Sequence, residues 1–505
     1  MIEHIIVQAG GRGSRLETLT ANKPKCLVPV DNRPMIFHLF EQHPKAKFII
    51  IADYQKETLK KYLNCFAQDF DYEVVDATKK GTCSGLNKAL AFVPEESTFM
   101  LIWCDLILSD VNMPQSISSN MLGISKDFEC RWSFEKGNFI EKASKEHGVA
   151  GLFIFQNKKT LANVPHEGEF VAWLSKQKID FEELPMKGGK ELGTMLSYFQ
   201  NELNKPKSRP FNKIEFDGDI VNKIPLNEQG KKLAQDEVTW YKKVQEVGFT
   251  NIPVIYNYSP LSMKRISGEN IYVYSFLTPN FKKALLEKII EALNKLHTTT
   301  PAIKAKKEDC ESCYITKTFD RLEKVKYLVP FADQEYVTIN DKRYKNIFSI
   351  KDEIINDVKS YYPEDFHLIH GDCTFSNIMI ETDGVEAILF DPRGYFGSTK
   401  FYGDIDYDWA KLYYSLVGDY DQFNRKNFSL EIKEKDVELM IMPNHWSYLE
   451  DFFFSKTKAD PKKIKLLHAL IWLSLTTYSW EDYDAICGAF YNGLIQLNEY
   501  LNYGK

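Results

Sequence analysis

No apolar stretch in this 505-residue chain approaches the roughly 20 residues that a membrane span needs, and the longest candidate, residues 466–475, is interrupted by His468 and Ser474. The sequence therefore predicts no membrane span. Nor is there an excess of positive charge: 64 Lys and Arg face 70 Asp and Glu, a net charge of -6, which offers no broad basic field for a phosphate backbone. A nucleic-acid partner is disfavoured, whereas nucleotides stay open. Cysteine is sparse, nine scattered residues, which is too few and odd in number for a disulfide framework and fits reduced thiols. Only Cys310 and Cys313 stand close, and a single Cys-x-x-Cys with no second pair reads as two incidental thiols in a polar connector. Met1-Ile2-Glu3-His4 shows neither a positively charged leader nor a small-residue cleavage site, so a cytoplasmic location is expected. Internal repeats and low-complexity tracts are also missing, which argues against a solenoid or a disordered tail. Homo-oligomerisation is compatible with the sequence, since an apolar interface cannot be told from a core.

The composition, 44% hydrophobic and 14% aromatic, is that of a globular protein, and at about 150 residues per domain the length suggests several domains. Over the first 200 residues short apolar runs alternate with amphipathic ones. Strands are expected at 5–9, 47–52, 72–76 and 99–104, and helices at 34–42, 54–66 and 84–92, the βαβ pattern of a mostly parallel sheet. Asn204-Lys205-Pro206-Lys207-Ser208-Arg209-Pro210 breaks this pattern and sets a domain boundary. Extended runs at 211–216 and 219–225 then flank Asp217-Gly218, a strong hairpin signal, and a helix fits 227–247. From Pro279 onward the pattern is helical apart from a strand-like stretch at 367–392. The expected division is 1–204, 205–278 and 279–505.

Chemistry is concentrated first in Gln8-Ala9-Gly10-Gly11-Arg12-Gly13-Ser14-Arg15-Leu16, followed by Lys23-Pro24-Lys25. Glycines directly after a first strand let backbone N–H groups approach phosphate oxygens, and Arg15 and Lys25 add positive charge for a triphosphate. A dinucleotide fingerprint would need a third glycine in G-x-G-x-x-G, which is absent. The combination resembles the nucleotidyltransferases that make nucleoside-diphosphate sugars and CDP-choline, with their G-x-G-[ST]-R-[LM] loop and Pro-Lys pair. Over residues 1–200 that resemblance implies a Rossmann-like GT-A fold. It implies nucleotide binding by Ala9, Gly10, Gly11, Gly13, Ser14, Arg15 and Lys25, with Arg15 and Lys25 also catalytic. Gly81-Thr82-x-Ser84-Gly85 is similar to the loop that contacts base and acceptor, so Gly81 and Thr82 join the nucleotide site. Asp105 stands as the metal-binding aspartate, and Glu191, in Glu191-Leu192-Gly193-Thr194, occupies the position of a second metal ligand that is aspartate in sugar-type members. Trp103 reads as a core residue. The chemistry needs Mg²⁺ and cationic side chains but no general base, because the attacking phosphate oxygen is already ionised.

The second constellation is His370-Gly371-Asp372-x-x-x-x-Asn377 followed by Phe390-Asp391. A catalytic-loop aspartate, an asparagine five positions on and a strand-end aspartate are the parts of a kinase-like site. With His-Gly-Asp in place of H-R-D and Asp391-Pro392-Arg393-Gly394 in place of D-F-G, the segment resembles the aminoglycoside phosphotransferase and choline kinase superfamily. That implies an α+β kinase-like domain with a small β-rich lobe and a large helical lobe. It also implies catalysis by Asp372, Mg²⁺ on Asn377 and Asp391, and ATP held by Lys223 with Glu237 as ion-pair partner; Lys213 competes for the lysine role. No Gly-rich loop covers the phosphates, and Lys207-Ser208-Arg209 either replaces it or is a solvated linker. In Gly403-Asp404-x-Asp406-Tyr407-Asp408-Trp409-Ala410, Asp408 is expected to cap the helix and Asp404 to orient the catalytic loop or the acceptor. The aromatics Trp409, Tyr413, Tyr414, Trp446, Tyr448, Trp472, Tyr478, Trp480 and Tyr483 read chiefly as core, although such rings can also cage a quaternary ammonium.

A kinase makes a phosphate monoester and a nucleotidyltransferase consumes one. The two resemblances together imply a bifunctional enzyme. A sugar or choline-like alcohol is phosphorylated by ATP, and its phosphate then receives a nucleotidyl group from CTP or a sugar-type NTP, giving a donor for surface polysaccharide or lipid modification. The competing readings are a kinase whose first half serves assembly, and a regulatory protein that binds nucleotide without turnover.

Overall fold

Short runs rich in Ile, Val and Phe, buried along most of their length, make the central strands of the first half. In the computed structural model, which describes residues 2–108, 111–114, 117–203, 212–382 and 385–504, they assemble into a seven-stranded sheet. Its members are β1 (His4–Gln8), β2 (Lys47–Ala52), β3 (Tyr72–Asp76), β4 (Phe99–Trp103), β5 (Met121–Ile124), β6 (Val149–Phe155) and β7 (Glu182–Pro185). Their order is β7-β5-β6-β4-β1-β2-β3. β1 is parallel to β2 and β4, β2 to β3 and β5 to β7, while β6 is antiparallel to both its neighbours. Helices α1 (Met35–Gln42) and α2 (Lys56–Phe66) connect the first strands.

The chain runs outward from β1 to β3 and returns to the other side of β1 as β4. Strand order reverses between β1 and β4, the place where open α/β sheets bind ligands beyond the carboxyl ends of the strands. Gln8 lies opposite Trp103, so the glycine loop and the Cys104-Asp105 turn leave the sheet side by side.

This unit comprises Met1–Pro206 together with Trp480–Asp484, a segment that the sequence reading places in the helical lobe. Trp480 packs on Phe37 with ring centroids 5.1 Å apart. Asp482 lies 3.3 Å from the buried Lys23 ammonium, and Asp484 also contacts it. The expected linker at 204–210, including Lys207-Ser208-Arg209, lies outside the described residues.

The second unit comprises Lys207–Ser479 and Ala485–Lys505. β8 (Asn212–Asp217) and β9 (Ile220–Pro225) form a hairpin that turns through Gly218 at φ 57°, and with β10 (Ile255–Tyr258) and β11 (Leu261–Lys264) they make a sheet ordered β8-β9-β11-β10. Helix α3 (Glu228–Glu246) follows, capped by the Asn227 side chain, which accepts from Gly230 N at 2.9 Å. Farther along stand α4 (Pro279–Thr298), α5 (Lys317–Val325), α6 (Ile405–Leu416) and α7 (Pro461–Ser474). Most of the late aromatics are core: Trp409, Tyr413, Tyr414, Trp446, Trp472 and Tyr483 are buried, while Tyr448 and Tyr478 are exposed.

Two expectations need correcting. The region after Pro279 carries a further four-stranded sheet, Lys342–Lys345, Tyr336–Ile339, Val437–Ile441 and Phe428–Ile432, where helix was expected. Its first hairpin turns at Asn340-Asp341, both at positive φ, a tight-turn signal that the helical reading overlooked. Cys310 and Cys313 are buried in a helical stretch rather than a polar connector, and both are free thiols. Among the described residues no helix is long and apolar enough to cross a membrane.

Candidate active sites

Past the end of β1 the backbone turns back against the Lys-Pro-Lys segment. Gly13 makes this turn at φ 65°, and a Cβ there would stand 3.1 Å from that of Lys25, so glycine is needed for both conformation and space. Ala9 is buried and its N–H is held by Ile51 O at 3.0 Å. Gly10 abuts Asp53, Gly11 has open space around it, and Ser14 begins a short 3₁₀ turn that carries Arg15. The Gly81-Thr82 loop is tied to the same edge, with Gln8 Nε2 donating to Thr82 O at 2.6 Å. The Thr82 hydroxyl donates to Glu169 at 3.2 Å and accepts from Phe170 N at 2.8 Å.

Asp105 leaves β4 directly beside this loop. A two-residue ladder pairs Lys190–Glu191 with Leu106–Ile107, setting Glu191 opposite Leu106, and so delivers Glu191 to Asp105. The two carboxyls stand close enough to perturb each other's ionisation, and Lys25 Nζ contacts Asp105. Arg15 Nη2 stands 3.7 Å from Glu191 Oε1 at the exposed rim. A Cβ on Gly193 would meet Glu191 Oε1 at 2.1 Å and both Asp105 Oδ2 and Lys25 Nζ at 2.8 Å. Only glycine lets these three groups converge.

Burial and the neighbouring Asp105 charge push Glu191 up to about 6, while Lys25 holds Asp105 below the usual carboxylate range although burial opposes it. Two converging carboxyls, with a lysine against one of them, are an oxygen donor set that suits a hard divalent cation. Among the described residues no group of three or more His, Cys, Asp or Glu side chains could hold a metal ion. Mg²⁺ fits such a two-carboxylate set, because it keeps several waters and takes further oxygens from substrate phosphates.

In the second unit Lys223 on β9 points to α3, where its Nζ lies 2.6 Å from Glu237 Oε2, and it also contacts Asp391. Lys213 instead pairs with Glu215 at 2.7 Å on the exposed side of the hairpin. Burial and the nearby negative charge of Asp391 raise Glu237 to about 7, opposed by Lys223. The backbone bond from Phe390 N to Asn377 O, 3.1 Å, brings Asn377 next to Asp391. Asn377 Nδ2 donates to Asp372 Oδ2 at 3.0 Å, and Lys411 Nζ lies 2.9 Å from Asp372 Oδ1. Asp391 and Asn377 are oxygen donors suited to Mg²⁺ beside a triphosphate, and a cation that drew Asp391 away would leave Lys223 to Glu237 and the phosphates.

The roles of two aspartates are the reverse of those expected. Asp404 is the N-cap of α6, its side chain accepting from Asp406 N at 3.0 Å. Asp408, one turn inside the helix and fully buried, instead braces the loop that carries Asp372: it accepts from His370 N at 2.9 Å and Gly371 N at 2.7 Å, and His297 Nε2 lies 3.0 Å away. Sequence reasoning also passed over Lys411, although it lies on the same helix three residues after Asp408.

Residues 5–129 match the family described as MobA-like NTP transferase domain, and residues 217–422 match the phosphotransferase enzyme family. The chain thus joins a MobA-like NTP transferase domain to a phosphotransferase domain. It is 25% identical over 246 residues to the bifunctional protein GlmU of Methanococcus maripaludis, an alignment that covers 45% of this chain and 56% of that protein. The chain therefore spans just over half the length of that relative. It is 24% identical over 212 residues to the D-glycero-alpha-D-manno-heptose 1-phosphate guanylyltransferase of Campylobacter jejuni, covering 39% of this chain and 90% of that one. Among solved structures, the CTP:phosphocholine cytidylyltransferase of Streptococcus pneumoniae aligns with a TM-score of 0.34 and 17% identity, covering 40% of this chain and all of that one.

Proposed function

We propose that this chain is a bifunctional transferase that phosphorylates a small hydroxyl compound with ATP and then transfers a nucleotidyl group from an NTP to the phosphate so formed. One observation carries the reading: each unit holds its own lysine–carboxylate site, Lys25 with Asp105 and Glu191 in the first, and Lys223 with Glu237 and Asp391 in the second. The heptose 1-phosphate named for the Campylobacter jejuni relative is itself a phosphate monoester, the acceptor type that the first site would take.

In the second unit Asp372 accepts the proton of the acceptor hydroxyl, whose oxygen attacks the γ-phosphorus; the bond to the β,γ-bridging oxygen breaks and ADP leaves. Lys223, held by Glu237, binds the phosphates. In the first unit an oxygen of the acceptor phosphate attacks the α-phosphorus of the NTP and pyrophosphate leaves. Arg15 and Lys25 neutralise the meeting anions, and backbone N–H groups of residues 10–14 bind the triphosphate. Asp105 and Glu191 in one site, and Asn377 and Asp391 in the other, would hold Mg²⁺, which would supply charge neutralisation on the phosphates. The donor product would serve surface polysaccharide or lipid modification.

Two substitutions test this reading in opposite directions. Asp105→Ala abolishes pyrophosphate release and spares ADP formation from the free acceptor; Asp372→Ala abolishes ADP formation and spares pyrophosphate release from a preformed acceptor phosphate. If either one silenced both activities in a folded protein, two independent sites would be the wrong account.

A further inference from the structure

Next to Asp372 the second unit carries positive charge that no carboxylate among the described residues neutralises. Tyr407, buried near the start of α6, is the centre of it. Lys317 Nζ, from the first turn of α5, lies 5.4 Å from the Tyr407 ring. Arg393 Nη1 donates to the Tyr407 hydroxyl at 3.2 Å, and its guanidinium also stands over Tyr395 at 4.5 Å. Arg321, one turn after Lys317, donates Nη1 to Ser474 O at 2.6 Å. Lys411, one turn after Tyr407, holds Asp372.

None of Lys317, Arg321 and Arg393 has a carboxylate at ion-pair distance among the described residues. The nearby acids are engaged elsewhere: Asp404 and Asp406 pair with Lys463 at 2.9 and 2.7 Å, and Asp309 accepts from Ser398 N and the Thr399 hydroxyl at 2.7 and 2.6 Å. Burial alone would raise the Tyr407 phenol, yet Lys317, Lys411 and Arg393 hold it below its ordinary value, which shows how closely the cations face it. Half-buried cations without counter-charges are costly to keep together unless an anion completes them. Lys317 and Arg321 stand on α5 and Arg393 on the turn after Asp391, packed against Gly371 next to Asp372, whereas Lys223, on the hairpin, serves the nucleotide.

We propose that Lys317, Arg321 and Arg393 bind the acceptor, and that the acceptor is an anionic hydroxyl compound, bearing a carboxylate or phosphate besides the hydroxyl that is phosphorylated. This deepens the phosphotransferase reading and rests on it. A quaternary ammonium such as choline would meet three like charges here and is disfavoured.

The test is ADP formation by the full chain with MgATP and three acceptor classes. The first is anionic, glycerate and gluconate for carboxylates and glucose 6-phosphate for phosphates; the second is neutral, glycerol and glucose; the third is cationic, choline and ethanolamine. Turnover is expected in the anionic class, and its two arms tell carboxylate from phosphate. With the best acceptor, Lys317→Met and Arg321→Met are expected to raise acceptor KM by roughly ten- to a hundred-fold, the scale of one charge-assisted hydrogen bond, without moving KM for ATP. Lys317→Arg is expected to keep acceptor KM near that of the unmodified chain, which separates lost charge from lost folding. Turnover of neutral or cationic acceptors alone would overturn the anionic assignment and keep the kinase. A rise in KM for ATP instead would give the cations to the triphosphate and overturn it too. ADP from none of the classes, in a chain that binds MgATP, would overturn the phosphotransferase reading itself.

Discussion

The ammonium of Lys223 lies 2.6 Å from Glu237 Oε2 and in contact with the Asp391 carboxylate, so a strand, a helix and a turn from distant parts of the chain meet on one charge. In a phosphotransferase this geometry fixes the lysine that holds the nucleotide phosphates. Lys223→Met is expected to lower ADP formation at least about a hundred-fold, with pyrophosphate release from a phosphorylated acceptor unchanged. Parallel assays of both products on the same preparation check this; loss of both products would count against separate sites.

Gly193 faces Glu191, Asp105 and Lys25 with no room for a methyl group. Gly193→Ala should therefore displace the carboxylates while leaving the sheet intact, and a displacement of about 1 Å can cost roughly a hundred-fold in rate. Nucleotidyl transfer should fall by that order with an unchanged circular dichroism spectrum, and near-normal transfer would show that the three groups need not converge.

Glu191, raised from 4.5 to about 6, gives a pH signature. An acid whose folded pKa lies above its unfolded one binds an extra proton in the native state, so its cost to stability is absent below about pH 4.5 and complete above about pH 6. Glu191→Gln removes that cost, on the order of 2 kcal/mol. The variant should melt above the metal-free parent at pH 7 to 8, and the difference should vanish toward pH 4.5. Scanning calorimetry across that range decides it; a gap that widened on acidification would contradict the assignment.

Much of the first unit is legible because its strands are continuous β-branched runs. Lys47–Ala52 and Tyr72–Asp76 have the bounds read from the sequence, β4 ends one residue earlier than expected, and β1 is shifted by one residue at both ends. The glycine loop and Asp105 come together because strand order sets β1 beside β4, an order that the alternating pattern does not specify. The late sheet was illegible because its short hairpins lie within a helical pattern, with only the Asn340-Asp341 turn to mark one. The exchanged roles of Asp404 and Asp408 turn on where α6 begins, and a run with three aspartates in five positions does not fix that start. The cations around Tyr407 were invisible for another reason: Lys317, Arg321, Arg393 and Lys411 are spread along the chain and only tertiary packing gathers them.

Asp408 satisfies the His370 and Gly371 amides and faces His297, so its loss leaves buried donors without a partner. Asp408→Ala is expected to destabilise the second unit by about 3 kcal/mol and to remove kinase activity by loosening the loop that carries Asp372. Denaturant unfolding monitored on that unit checks it. A cost below about 1 kcal/mol would mean that water replaces the brace.

Lys23 is buried against Asp482 and Asp484 within the first unit. Removing both aspartates strands its charge and should cost about 3–5 kcal/mol, and adding Lys23→Met to that variant should restore much of the loss. Melting temperatures of the parent, the double variant and the triple variant test this. No recovery in the triple variant would assign the effect to something other than the ion pairs.

The central claim is that one chain makes a phosphate monoester and then consumes it. Its most direct test is pyrophosphate release from the full chain supplied with ATP, one of CTP, UTP, GTP or dTTP, and an unphosphorylated acceptor from the anionic, neutral and cationic panel. The account predicts pyrophosphate only when ATP, one particular NTP and one acceptor are all present, and its loss on omission of any of the three. Pyrophosphate release that needs a preformed phosphate monoester and is indifferent to ATP, with every acceptor tried, would contradict it.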